Sequence, residues 1–161
     1  LKALILFFYL FLFVATPELS EVRKQYTNAI DSKANAEKFY KLLERVSTGD
    51  SKTLVAYKGA SIALQAKFSP KKEDKKKQFV EGTQLLEFAL KNDPKNLEIR
   101  LIRLSIQENT PKIMKYKANI AEDKQFIVSN FAKQNNSIKE FVKLYLKQSK
   151  VFSAEEKAAM Q

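Results

Sequence analysis

The chain has 161 residues and a net charge of +11, with neither cysteine nor histidine. That composition excludes disulfides, a lipid-bearing cysteine, Ser-His and Cys-His nucleophile systems, and zinc held by thiolate or imidazole. Three glycines and four prolines, set against many Lys, Leu, Ala and Glu, point to one all-helical domain long enough to bury a sizeable core.

The first residues stand apart from that domain. Lys2 precedes an unbroken apolar run, Ala3 to Ala15. As a helix this run spans roughly 20 Å, short of a bilayer core of about 30 Å. A positive start and a short apolar run are the layout of a secretory signal. Residues 1–16 are therefore expected to be a signal peptide, with an uncleaved membrane anchor and a core helix as the alternatives. The implied address is periplasmic or secreted, or membrane-anchored if the segment is kept. Residues 17–161 form the domain.

Thr16-Pro17-Glu18 predicts a helix start, with a capping hydroxyl, proline at the first helical position and acid in the first turn. Leu19, Val22, Tyr26, Ala29 and Ile30 make its apolar stripe. A second helix is expected from about Asn35, turning Phe39, Leu42, Leu43 and Val46 inward. Thr48-Gly49-Asp50 closes it and opens a third, Ser51 to Phe68, with Leu54, Tyr57, Ser61, Leu64 and Phe68 on its buried face. Gly59 and Ala60 there are small enough for close helix contact. Residues 69–77, from Ser69-Pro70 through the lysines, read as a loop inserted between two helices.

The centre of the chain, Phe79 to Gln107, reads as two helices joined by an Asp93-Pro94-Lys95-Asn96 turn. Phe79, Gly82, Thr83, Leu86, Ala89 and Leu90 share one face of the first. In the second, Leu97, Leu101 and Leu104 form one apolar stripe and Ile99, Ile102 and Ile106 another on the opposite side. A helix apolar on two opposed faces has neighbours on both. Gly82, Leu86, Ala89 and Pro94, spaced four, three and five residues apart, resemble the tetratricopeptide repeat, and Asp93 to Glu98 resembles its inter-repeat junction. Helix starts near 18 and 51 are also close to that repeat's period of about 34. The resemblance implies an all-α solenoid of stacked antiparallel hairpins, about three plus a capping helix. The helix after Pro94 departs from the repeat, with Arg100 and Arg103 where the family has a large aromatic and a leucine. The family's peptide-binding positions therefore do not carry over. The whole chain is similar to short, uncharacterised secreted helical proteins of Gram-negative bacteria.

Beyond the centre, Thr110-Pro111 predicts a long helix to about Lys133, lined by Ile113, Tyr116, Ile120, Ile127 and Phe131. Asn135-Asn136-Ser137 breaks it; the triplet is formally a glycosylation acceptor, but reads as a helix break. Ile138, Phe141, Val142 and Tyr145 mark a capping helix, and Ser153 starts a last polar turn.

Chemistry has few footholds. Adjacent carboxylates, Glu73-Asp74, Glu122-Asp123 and Glu155-Glu156, point about 100° apart on a helix and do not converge on one atom. There is no glycine-rich phosphate loop. A Ser-Lys dyad stays open, since lysines are everywhere. The expectation is a non-catalytic, exported protein-protein interaction module with no cofactor and no metal; the alternatives are a basic module that binds an anionic polymer or membrane surface, and a hydrolase with an unorthodox site. The sharpest polar constellation is Arg100, Arg103 and Gln107 against Tyr116, Asn119 and Asp123. Asp123, between Ile120 and Ile127 on an apolar side, needs a cationic partner. Either that set is an ion pair locking helices together, or its arginines take an acidic group from a protein or peptide partner. A second candidate is Lys71, Lys72, Lys75, Lys76 and Lys77, an anionic-surface contact for a polymer or membrane. The charge excess is nearly all lysine, with four arginines in the chain, and lysines are spread over most helices. Ser69-Pro70-Lys71-Lys72 resembles a minor-groove DNA-binding unit, but a single copy in an exported chain argues against nucleic acid.

Overall fold

The computed structural model describes residues 16–161. The expected signal peptide falls on residues 1–15 and so lies, but for Thr16, outside the described residues. Among those described, every regular element is helical. No helix in this set is long and apolar enough to cross a membrane.

Helix α1 (Leu19–Asn28) starts later than Thr16-Pro17 predicts. Its first helical bond runs from the Val22 N–H to the Glu18 carbonyl, and Glu18 itself stays extended with no side-chain cap. Helix α2 (Lys33–Leu42) is capped by Ser32, whose hydroxyl accepts from the Asn35 N–H. It buries Ala36 and Phe39. After it the Asp50 carboxylate accepts from the Ser47 N–H and hydroxyl, and Ser51 caps α3 (Lys52–Phe68).

The Lys-rich loop expected at residues 69–77 is a helix. Helix α4 (Lys72–Asn92) takes in all but Ser69, Pro70 and Lys71. Lysine is a good helix former, and Glu73 and Asp74 in the first turn complement the helix dipole. The solvated lysines need no loop to keep them wet. Nothing is therefore inserted between α3 and α4, which are joined by a short elbow.

Those two helices touch backbone to backbone. A Cβ added at Gly59 would lie 2.6 Å from the Gly82 carbonyl oxygen and 2.8 Å from the Leu86 nitrogen. One added at Gly82 would collide with the Ala63 nitrogen and the Gly59 carbonyl. The Asp93–Asn96 turn then leads into α5 (Leu97–Asn109), where Asn96 caps the Ile99 N–H at 3.1 Å.

Helix α5 is the middle of the molecule. Leu97, Ile99, Leu101, Ile102, Leu104 and Ile106 are all buried, so both apolar flanks are covered. It packs against α3, α4 and α6 (Ile120–Asn130). Tyr26, Phe39, Tyr57 and Phe141 meet beside it in an aromatic cluster with centroid separations from 5.4 to 6.4 Å. This cluster draws α1, α2 and α3 together with α7 (Asn136–Leu146).

The long helix expected from Thr110 to Lys133 is two pieces. A 3₁₀ turn (Lys112–Met114) ends at Lys115, whose φ of 52° is left-handed and breaks the helix. Helix α6 begins only at Ile120 (Ile120–Asn130), and a second 3₁₀ turn covers Phe131–Lys133. Ile113 and Tyr116 mimicked a helical stripe by spacing alone, and Ile113 is 82% exposed. Asn135 caps α7 by accepting from the Ile138 N–H at 3.0 Å. Ser153 and Glu156 form a capping box at α8 (Ala154–Ala159).

The glycine contact sets a sharp test. Gly82→Ala should cost about 3 kcal/mol or more, because backbone rather than a movable side chain occupies the new methyl's place. Gly49→Ala, with only the Ser47 hydroxyl 3.6 Å away, should cost far less. Urea denaturation midpoints of the two variants measure the difference.

Candidate functional site

Two features compete for the role of site: a charged network around α5 and an apolar groove beside it. The network begins with Asp123, which is fully buried. Arg103 grips it with two bonds, Nε to Oδ2 at 2.6 Å and Nη2 to Oδ1 at 2.7 Å. Its remaining nitrogen, Nη1, reaches Glu87 of α4 at 3.1 Å. Arg100 donates from Nη1 to Asp123 at 3.0 Å and to Glu122 at 2.8 Å, and from Nε to the Pro94 carbonyl at 3.0 Å. Its guanidinium lies 4.3 Å from the Phe126 ring centroid. Tyr116 donates to Glu87 at 2.5 Å, and Asn119 donates to Glu122 at 3.2 Å.

Five of the six residues of the predicted constellation therefore belong to one network. Gln107 does not join it: the side chain is buried, and neither amide atom has a hydrogen-bond partner among the described residues. Burial pulls the Arg103 guanidinium down, but the bond to Asp123 and the charges of Asp123 and Glu87 carry it, on balance, up. Burial, then the bond to Glu87, pushes Tyr116 well above the ordinary tyrosine range. Arg100 and then Asn119 hold the Glu122 carboxyl low. All three guanidinium nitrogens of Arg103 and two of the three of Arg100 are engaged within the molecule, which is the geometry of a lock between α4, α5 and α6.

Two further polar anchors on α5 were not foreseen. Glu98 is buried and accepts from Arg23 Nε and Nη2 at 2.7 and 2.8 Å and from the Tyr57 hydroxyl at 2.7 Å. Arg23 also donates to Ser137 at 2.8 Å, reaching α7. At the other end Glu108 accepts from the Tyr145 hydroxyl, the Ser149 hydroxyl at 2.9 Å and the Lys150 N–H at 2.6 Å. The signal for both lay in the sequence. An acid at either end of a helix that is apolar on two faces must find partners on neighbouring elements.

The groove lies where α1, α3, α4, α5 and α7 leave a gap of about 530 Å³. That size falls within the usual range of ligand clefts, roughly 300–1,000 Å³. Its lining is mostly apolar, including Leu64, Phe79, Leu101, Ile106, Met114 and Phe141. Ile30 and Leu144 also line it and are 39% and 47% exposed. Ile30, expected inward on α1, thus stands at the groove instead. Of the cluster Lys71, Lys72, Lys75, Lys76 and Lys77, all exposed on or next to the first turns of α4, only Lys75 lines the groove.

No protein-family model, curated protein or solved structure matches the chain.

The network predicts a stability defect with a rescue. Asp123→Asn keeps the shape but strands buried guanidinium charge and should cost about 3–5 kcal/mol. Pairing Asp123→Leu with Arg103→Met removes both buried charges and should recover much of that loss. Urea denaturation of both variants reads the two outcomes.

Proposed function

We propose that the protein is a non-catalytic binding module, built as a tetratricopeptide-like stack of helical hairpins, whose working surface is the apolar groove. The groove itself is the observation that supports this reading. It is a ligand-sized, largely apolar cleft with two half-exposed aliphatic side chains on it, set in a frame whose buried charged groups are paired with one another. The stacking is supported by the close α3–α4 pair, the Asp93–Asn96 turn into α5 and the burial of α5 on both flanks. Its proposed place of work is the periplasm or the cell exterior, on the strength of Lys2 and the apolar run that follows. The engaged arginines favour the locking role over partner recognition for Arg100, Arg103 and Asp123.

A polarity-sensitive apolar fluorophore tests the groove. It should bind and brighten with the unaltered protein, and an Ile30→Glu/Leu144→Glu variant should lose that signal while keeping its thermal midpoint. Tyr40→Glu, an equally exposed apolar position away from the groove, should leave the signal intact. Equal fluorescence in all three proteins would remove the groove as the binding surface.

A further inference from the structure

Resting on that reading of the groove, we infer that its ligand is a single-chain amphiphile with an anionic head. The acyl chain would lie against the apolar lining and the head against Lys67 and Lys75. The hydrogen-bond state of the lining separates this class from a peptide. The Tyr26 and Ser105 hydroxyls are bonded to each other. Thr27 donates to the Lys24 carbonyl, Asn109 to the Ser105 carbonyl and Thr110 to the Ile106 carbonyl. The Tyr145 hydroxyl is turned to Glu108.

A peptide laid in this cleft would bring backbone N–H and C=O groups to a wall whose polar side chains are mostly already engaged, and unpaired buried groups are costly. A methylene chain asks for no such partners and gains from each CH₂ removed from water. The charges agree with that choice. The lining holds two lysines and no aspartate or glutamate. Both lysines flank the α3–α4 elbow, so the positive charge sits on one side of an otherwise apolar cleft. The Lys75 ammonium makes no hydrogen bond or ion pair among the described residues, its backbone N–H alone donating to the Lys71 carbonyl. Lys67 uses one donor on the Ile30 carbonyl at 2.8 Å and has two left. A carboxylate or phosphate head set there meets unspent cationic donors, while its tail runs on over Leu64, Phe79 and Ile106.

Dodecanoate and dodecanol, both as monomers, are the probes, titrated against the full chain by calorimetry. The acid should bind about fivefold tighter than the alcohol, the size expected of two solvent-exposed ion pairs. Lys67→Gln/Lys75→Gln should erase that preference without lowering the thermal midpoint. Ile30→Glu/Leu144→Glu should weaken both probes. Equal affinity for acid and alcohol in the unaltered protein would overturn the head-group assignment and leave the groove reading standing. Binding of the fluorophore with neither amphiphile bound would overturn the ligand class alone. Loss of all three would take the groove reading down as well. Binding confined to vesicles of anionic phospholipid, with free dodecanoate ignored, would also overturn the inference, because it transfers the charge to a bilayer surface. A dimer that dissociates on Ile30→Glu would assign the groove to a second copy of the chain and overturn it too.

Discussion

The arrangement turns on the burial of a helix that carries charge. Glu98 and Arg103 of α5 are each about 5% exposed, and Glu108 is partly buried at the far end. A buried charge without a partner costs several kcal/mol, so each dictates where a neighbouring element must sit. Glu98 fixes α1 and α3 through Arg23 and Tyr57 and reaches α7 through Ser137. The two arginines fix α4 and α6. Glu108 fixes the end of α7 and the segment that follows it. Hydrophobic burial supplies the gross stabilisation here, as in any helical domain. The ionic anchors select one packing of the rods among the many that greasy faces alone would allow.

Much of this was legible in the residues. Opposed leucine and isoleucine stripes identified α5 as covered on both sides, and it is. Gly59 and Ala60 marked a close helix approach, and Gly59 meets Gly82 of α4 there. Asp123 in an apolar stripe demanded a cation, and Arg100 and Arg103 supply it. The misreadings share a cause, which is that local composition does not report where the chain is solvated as a helix and where it bends. The run from Lys72 to Lys77 looked like a loop because it is polar all round, yet the exposed first turns of a long helix are polar for the same reason. Ile113 and Tyr116 matched a helical repeat, but Lys115 adopts a left-handed conformation that spacing does not encode. The groove was not legible at all. It arises because α1, α3, α4, α5 and α7 do not quite close on one another; Ile30 looked like an ordinary member of a buried stripe, and Leu144 stood outside the stripe of its helix.

Scaffold and groove are linked physically. Elements tied by paired charges hold their separation, and a gap between elements that cannot collapse inward remains available to a guest. Tyr26 shows the two roles meeting in one residue. Its ring stands in the aromatic cluster, its hydroxyl is tied to Ser105 of α5, and its edge lines the groove. Burial pushes its phenol up to about 12, with the Ser105 bond acting in the opposite direction. The wall of the cleft is thus part of the core, while its mouth is apolar surface facing water. The frame is pinned at its centre by paired buried charges, and its apolar surface stands open at one side.

The most direct measure of the central claim is native-state hydrogen exchange, resolved by residue. If α5 is the strut to which all other elements are anchored, amides from Leu101 to Ile106 should be the slowest in the protein and should exchange only through global unfolding. Their opening free energy should then equal that from denaturant unfolding. If those amides exchange through a smaller, partial opening, while α1 or α7 stays protected, α5 is not the strut and the account of the frame fails.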